Sequence, residues 1–148
     1  MDCPVCRKPL IVAEREGIEL DVCPWCHGLW FDAGELELLA EKLGRSLPVH
    51  DGDAFPPAAA TEKPRRCPRC DRSMEKVQLG QAPEVIVDRC LGHGVWFDHG
   101  ELGSLVGQLP VTQGSHHEAV TTFMGETIGA ASATPPGDAG RPAGEDSR

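Results

Sequence analysis

Four cysteines near the start of the chain have a spacing that suits metal binding. They form two Cys-x-x-Cys pairs, Cys3-x2-Cys6-x16-Cys23-x2-Cys26. This spacing is typical of zinc sites, in which each short turn places two sulfurs on one side of the ion. A redox pair would need a helix N-terminus within a βαβ unit, and the stretch between the pairs is too short to supply one. The spacing therefore predicts one zinc ion held by four thiolates.

A second group of candidate ligands follows later in the chain. Its members are three cysteines and one histidine, Cys67-x2-Cys70-x19-Cys90-x2-His93. Aligned with the first group, His93 falls opposite His27, and Cys26 has no counterpart because this turn is one residue shorter. We expect the longer imidazole of His93 to reach the vacant position, with His99 or a water as the alternative fourth ligand. Seven cysteines and His93 then supply eight ligands for two zinc ions per chain, and His27 is a neighbour.

The composition limits the protein to small domains. The 148 residues include 17 Gly and 13 Pro but no Tyr, which leaves little material for the core of a large enzyme. Domains of this size usually need a metal or disulfides for stability.

Seven cysteines cannot all pair within one chain, and the sequence before Cys3 has no room for a signal peptide. No apolar stretch approaches the about 20 residues that span a bilayer, so we expect a cytoplasmic protein without membrane contact.

An internal repeat organises both groups of ligands. Residues 27–36 read His-Gly-x-Trp-Phe-Asp-x-Gly-Glu-Leu, and residues 93–102 repeat these types. Since each copy begins with a Cys-Pro-x-Cys turn, the repeat predicts a small, metal-stabilised, β-rich fold of two zinc ribbons. We divide the chain into ribbon 1 (1–46), a linker (47–62), ribbon 2 (63–109) and a tail (110–148). The Pro- and Ala-rich linker should be flexible, and the polar tail disordered. The alternative for His116, His117 and residues 120–124 is a marginal helix or a partner-binding segment.

Each ribbon should contain a hairpin, a third strand and a short helix. Period-two alternation predicts the hairpins, and the Trp-Phe motif predicts the third strand. The expected strands are 10–13, 18–22 and 29–31 in ribbon 1, and 74–79, 85–87 and 95–97 in ribbon 2. The Asp-x-x-Glu spacings, Asp32 with Glu35 and Asp98 with Glu101, are typical of a helix N-cap and capping box. A short helix is therefore expected after each third strand.

The aromatic residues are best explained as packing. Trp30, Phe31, Trp96 and Phe97 recur at matching positions in a chain with few other large side chains, which favours a core over a stacking platform for bases. Trp25 lies between two ligands, Cys23 and Cys26, and is the best candidate for an exposed contact.

The charge is unevenly distributed. The formal net charge is -9, and residues 1–46 hold five basic and nine acidic residues. Nucleic acid would therefore be repelled by ribbon 1. Segment 63–72 is the exception, with five basic residues that form either a solvated patch or a nucleic-acid contact: Lys63, Arg65, Arg66, Arg69 and Arg72.

The combined motif, Cys-Pro-x-Cys followed by Cys-x2-Cys-x-Gly-x-Trp-Phe-Asp-x-Gly-Glu-Leu, resembles the bacterial zinc-finger domains related to the zinc ribbon of transcription factor IIB. The second copy departs from it at His93. The resemblance implies a zinc-ribbon fold and zinc binding. Four protein ligands leave no open position for a catalytic water, so we expect a non-enzymatic adaptor for protein partners, in transcription or translation. Nucleic-acid binding through residues 63–72 is the alternative, and thiol redox or zinc hydrolysis ranks below both.

Overall fold

The computed structural model describes residues 1–47, 57–59, 61–81 and 83–112, which form six strands and two helices. In the first ribbon these elements are β1 Ile11–Arg15, β2 Ile18–Val22, β3 Leu29–Asp32 and α1 Glu35–Lys42. In the second they are β4 Glu75–Gln81, β5 Glu84–Cys90, β6 Gly94–Phe97 and α2 Glu101–Gln108. The β-rich fold with two cysteine-rich sites confirms the predicted fold class. Neither helix among the described residues is long and apolar enough to cross a membrane.

The six strands form one antiparallel sheet that joins the two ribbons. Its order is β1-β2-β3-β6-β5-β4, so the third strands of the two ribbons lie side by side at its centre. Trp30 faces Trp96 in this pairing, with Leu29 opposite Phe97 and Phe31 opposite Val95. Because Trp30 and Trp96 are equivalent positions of the repeat, a local twofold axis passes through the pair. The sheet therefore sets the orientation of the two ribbons, which the linker predicted from the sequence would not fix.

The two faces of the sheet carry different layers. Successive strand residues point to opposite faces, so Trp30 and Phe31 have different neighbours. Trp30 and Trp96 pack among the cysteines, whereas Phe31 and Phe97 belong to the core beneath the helices. The two phenyl rings meet edge to face, with centroids 5.4 Å apart. All four rings are fully buried, which confirms their predicted role as core residues.

The predicted capping by aspartate is wrong in both ribbons. Each helix begins after a glycine with a left-handed backbone, Gly34 or Gly100, and no side chain caps it. The glutamate half of the predicted box does form, because the backbone N–H of Asp32 donates to Glu35 at 2.8 Å and that of Asp98 to Glu101 at 2.7 Å. The aspartate carboxylates bind other donors instead, as described below with the metal centres.

Contacts between the ribbons continue beyond the central strands. The backbone after α1 meets the backbone after α2 through a bridge between Arg45 and Val111, and the Arg45 side chain donates to the Leu109 carbonyl at 2.8 Å. Part of the linker also contacts the sheet, since Pro57 forms a bridge with Val77 at the outer edge of β4. The tail candidates His116, His117 and residues 120–124 lie outside the described residues.

Two glycines of the repeated motif allow the ribbons to approach closely. A Cβ atom on Gly28 would lie 2.1 Å from Cζ2 of the Trp96 ring. A Cβ on Gly94 would lie 2.0 Å from the Phe31 carbonyl oxygen, and its φ of +152° also favours glycine. Each glycine thus faces a residue of the other ribbon, which explains the glycine of the shared motif by packing between the repeats.

Gly28→Ala should destabilise the whole described unit. The added methyl group meets a fully buried ring that has no room to move, and overpacking of this kind costs about 1–3 kcal/mol. Gly107→Ala is the matched control, because it lies in α2 with no atom within 4 Å of the added Cβ, and should be neutral or stabilising. Denaturant unfolding of both zinc-loaded variants measures the difference. Equal stability of the two variants would contradict the close packing of the ribbons.

Candidate metal centres

The first ribbon brings its four cysteines together at one end of the sheet. The sulfurs of Cys3, Cys6, Cys23 and Cys26 all lie within 4.8 Å of one another, and Cys3 Sγ is 3.6 Å from Cys26 Sγ. Four sulfurs arranged tetrahedrally at about 2.3 Å from a zinc ion would be about 3.8 Å apart. The group therefore fits a zinc ion bound by four thiolates.

The turns between paired ligands are built by backbone hydrogen bonds. The amides of Val5 and Cys6 both donate to Cys3 Sγ at 3.3 Å, and the Arg69 amide donates to Cys67 Sγ at 3.4 Å. In three of the four turns the residue after the second cysteine has a left-handed backbone and donates its N–H to the carbonyl of the first cysteine. These residues are Arg7, His27 and Asp71.

The fourth turn is shorter, and this difference positions His93. The His93 N–H donates to the Cys90 carbonyl three residues earlier, instead of four residues as in the other turns. His93 Nδ1 lies 3.4 Å from Cys90 Sγ and 3.9 Å from Cys67 Sγ, close to the about 3.5 Å expected between nitrogen and sulfur ligands of one zinc ion. The cluster of Cys67, Cys70, Cys90 and His93 therefore fits a second zinc ion.

The alternative ligand His99 lies elsewhere. It is not a member of either cluster within the described residues, and its ring faces His27 of the other ribbon with centroids 5.5 Å apart. His27 likewise belongs to neither cluster, as expected of a neighbour. Assignment of His93 as the eighth ligand remains a prediction, now with a geometry that suits it.

The thiols differ in how easily they lose a proton in the absence of an ion. Burial raises the pKa of Cys26 and raises the pKa of Cys67 to about 11. A hydrogen bond from the Arg72 amide lowers the pKa of Cys70 to about 7. Since zinc binds the thiolate, each site must release protons as it fills, and its affinity should decrease with falling pH.

Each tryptophan over the metal clusters is held by the aspartate of its own ribbon. Trp30 Nε1 donates to Asp32 at 2.9 Å, and Trp96 Nε1 donates to Asp98 at 3.2 Å. Both carboxylates also accept from arginines of segment 63–72. Arg65 binds Asp98 within ribbon 2, and Arg69 binds Asp32 in ribbon 1 through its Nε and Nη2 atoms. These contacts explain why neither aspartate caps a helix.

The prediction of a solvated patch or a nucleic-acid contact for segment 63–72 does not include the structural role of its arginines. Arg65 instead lies half-buried between Asp98 and Asp88, 3.5 Å from the latter, and Arg69 bridges the ribbons. The repeated motif does indicate that each aspartate needs a cation from elsewhere, because Asp32 and Asp98 recur in a motif without Lys or Arg. The spacing alone does not identify which arginine binds each aspartate.

Comparison with known families supports this description of the first ribbon. Residues 2–42 match the zinc-ribbon family of the transcription factor IIB type, described as "Transcription factor zinc-finger". They include all four cysteines of the first cluster, and the second cluster is compatible with a second site of this kind. Comparison with curated proteins and with solved structures finds no match.

The assignment of His93 can be tested by zinc content. The chain should bind two zinc ions, and His93→Ala should weaken the second site by more than about 10-fold and far more than the first, because even changes to residues behind the ligands cost about that much. His99→Ala is the control and should retain both ions. Elemental analysis after dialysis against a graded chelator distinguishes the variants. Fewer than two ions in the wild type, or equal retention by the two variants, would contradict the assignment.

Proposed function

We propose that this protein is a non-catalytic zinc-binding adaptor whose partner is another protein. The observation that carries the proposal is an exposed apolar side chain at the tip of the same turn in each ribbon. Trp25 is 52% exposed and Leu91 is 66% exposed, and each lies between the last two ligands of its own cluster. Large aromatic residues with an exposed face are enriched where proteins bind each other.

The surroundings of Trp25 support a contact role. The Lys8 ammonium lies 4.7 Å above its ring centroid, which orders the indole while leaving its other side accessible. The turn that carries Trp25 lies between the candidate ligands Cys23 and Cys26 and is closed by the His27 N–H, which donates to the Cys23 carbonyl at 2.9 Å. A rigid aromatic side chain loses little conformational entropy on binding, and this favours a recognition element over a loop that must first become ordered.

The lack of an open coordination position supports a non-catalytic role. Each cluster offers four ligand atoms within 4.8 Å of one another, so a zinc ion would have its four positions filled by the protein. Zinc hydrolysis requires a position for water, and thiol redox chemistry requires a sulfur that is not committed to the metal. The family to which residues 2–42 are matched consists typically of non-catalytic zinc ribbons.

Zinc ribbon domains can bind nucleic acids or proteins, and the charges favour a protein here. Of the five basic residues in segment 63–72, Arg65 and Arg69 are already bound to carboxylates. Lys63, Arg66 and Arg72 stay at the surface, and Arg66 lies 3.2 Å from Asp71. The chain as a whole carries a net charge of -9, which repels phosphate backbones.

Because both clusters need reduced thiols, we expect the adaptor to work in the cytoplasm.

The double variant Trp25→Ala/Leu91→Ala should lose the protein partner without losing zinc. Truncating a central aromatic contact commonly costs about 2 kcal/mol or more of binding free energy. Val111→Ala is the matched control, because Val111 is 60% exposed but lies after α2, away from the ligand turns. Tagged chains are used to capture partners from native cells after nuclease treatment. A partner that is retained equally by all three chains, or lost on nuclease treatment, would contradict the proposal.

Any binding to duplex DNA should be weak and only moderately dependent on salt. Three available cations, Lys63, Arg66 and Arg72, allow a log-log salt slope no steeper than about -2.7, whereas all five would allow about -4.5. An equilibrium titration at two salt concentrations gives this slope, with a chain in which the three residues are replaced by glutamine as the control. Tight, sequence-selective binding that survives in the control would favour a nucleic-acid reader over a protein adaptor.

A further inference from the structure

We propose that the two zinc sites are coupled in their affinity, and that Arg69 carries the coupling from the second site to the first. Arg69 lies between two ligands of the second cluster, Cys67 and Cys70, yet its guanidinium group binds Asp32 in the other ribbon. The inference depends on the fit of zinc to both clusters and not on the identity of any partner.

The position of Arg69 depends on the turn that the second zinc ion would hold. Its backbone N–H donates to Cys67 Sγ at 3.4 Å, and the next residue is the ligand Cys70. A metal ion bound by Cys67 and Cys70 would fix this turn and thereby the direction of the side chain. The guanidinium then meets both oxygens of Asp32 in a bidentate pair, the geometry that distinguishes arginine from lysine.

Asp32 connects this ion pair to the first zinc site. It accepts a hydrogen bond from Trp30 Nε1 at 2.9 Å, and the fully buried Trp30 ring packs in one cluster with Cys3 and Cys23. The same cluster includes Trp96 and Cys67 of the other ribbon. A continuous set of packed and hydrogen-bonded groups therefore leads from the second group of ligands to the first.

Ribbon 1 has no cation at the position that Lys76 holds in ribbon 2. Asp88 in ribbon 2 pairs with Lys76 at 3.0 Å, and Lys76 stands opposite Asp88 in the β4–β5 register. The corresponding place in ribbon 1, opposite Asp21, is held by the uncharged Val12.

Arg69 also opposes the effect of burial on carboxyl groups of ribbon 1. Burial raises the pKa of Glu35, and the charge of Arg69 opposes this rise. Burial would likewise raise the pKa of Asp32, but the hydrogen bonds from Arg69 and Trp30 hold that pKa below its usual value. Arg65 and Lys76 of ribbon 2 thus pair with Asp98 and Asp88 of the same ribbon, whereas Arg69 pairs with Asp32 of ribbon 1.

The test measures the affinity of each site separately in the full-length chain. A chelator buffers zinc at graded free concentrations, and accessible cysteines are then alkylated and counted by mass spectrometry. Protection of the first four cysteines from alkylation reports zinc binding at the first site alone: Cys3, Cys6, Cys23 and Cys26. Arg69→Ala should lower the zinc affinity of the first site by about 5-fold, the lower end of usual coupling strengths, since the ion pair is partly exposed to solvent. Arg66→Ala, which removes a neighbouring guanidinium paired with Asp71 of its own turn, should leave the first site unchanged.

A second comparison asks whether the effect requires a filled second site. In a chain with Cys90→Ser and His93→Ala, the turn that carries Arg69 is intact but half of the ligands are absent. The first site should bind zinc more weakly there, and adding Arg69→Ala should have little further effect. Arg69→Lys in the wild-type background should recover only part of the affinity, because lysine lacks the bidentate fork.

Three results would overturn the proposal. The first is an unchanged affinity of the first site in Arg69→Ala, and the second is an equal loss in Arg66→Ala. The third is a full effect of Arg69→Ala in the chain whose second site is disabled. In that case Arg69 would stabilise ribbon 1 independently of the second zinc ion, and the sites would not be coupled through it.

Discussion

The pairing of β3 with β6 places Trp30 of one ribbon directly against Trp96 of the other, and most of the remaining structure depends on this contact. Each ribbon contributes only three strands and one helix of eight residues, which is too little to surround its own aromatic rings. The rings are nevertheless fully buried, because Gly28 leaves space for Trp96 and the cysteines of both clusters pack around the tryptophan pair. Metal binding and apolar burial thus stabilise the same region.

The backbone follows the local twofold symmetry of the repeat, but the charged side chains do not. Equivalent strands and tryptophans face each other across the local axis, as in a symmetric dimer built from one chain. The cations break this symmetry, since Arg65, Arg69 and Lys76 all come from ribbon 2. Ribbon 1 is the more acidic half and receives Arg69 from its neighbour. The ion pair of Asp32 therefore requires both ribbons.

Several features could be predicted from the sequence because they depend on local spacing. The cysteine pairs identified the first ligand group, and the Glu16-Gly17 turn, where both residues have positive φ, separates β1 from β2 as expected. The prediction of Ile18–Val22 as a strand matched its bounds, whereas Leu10–Ala13 was shifted against the observed Ile11–Arg15. Such shifts at strand ends are small because the alternation of apolar residues fixes the face but not the last hydrogen bond.

Other features could not be predicted because they depend on contacts between distant residues. Nothing in the Trp-Phe motif indicates that β3 pairs with β6. A strand that is buried on both faces has the same apolar pattern whichever strand pairs with it. The capping prediction failed at Asp32 and Asp98 for a related reason. The Asp-x-x-Glu spacing correctly predicts that a helix follows. The aspartate carboxylate, however, accepts hydrogen bonds from an indole and an arginine instead of from the first backbone N–H groups of the helix.

Amide hydrogen exchange on the zinc-loaded chain tests most directly whether the two ribbons form one cooperative sheet. The amides of β3 and β6 that face each other should be protected to the same degree as those within the β1–β2 and β4–β5 hairpins, because all of them open only when the common core unfolds. The account would be contradicted if the β3 and β6 amides exchanged rapidly while both hairpins stayed protected, since the ribbons would then be independent units.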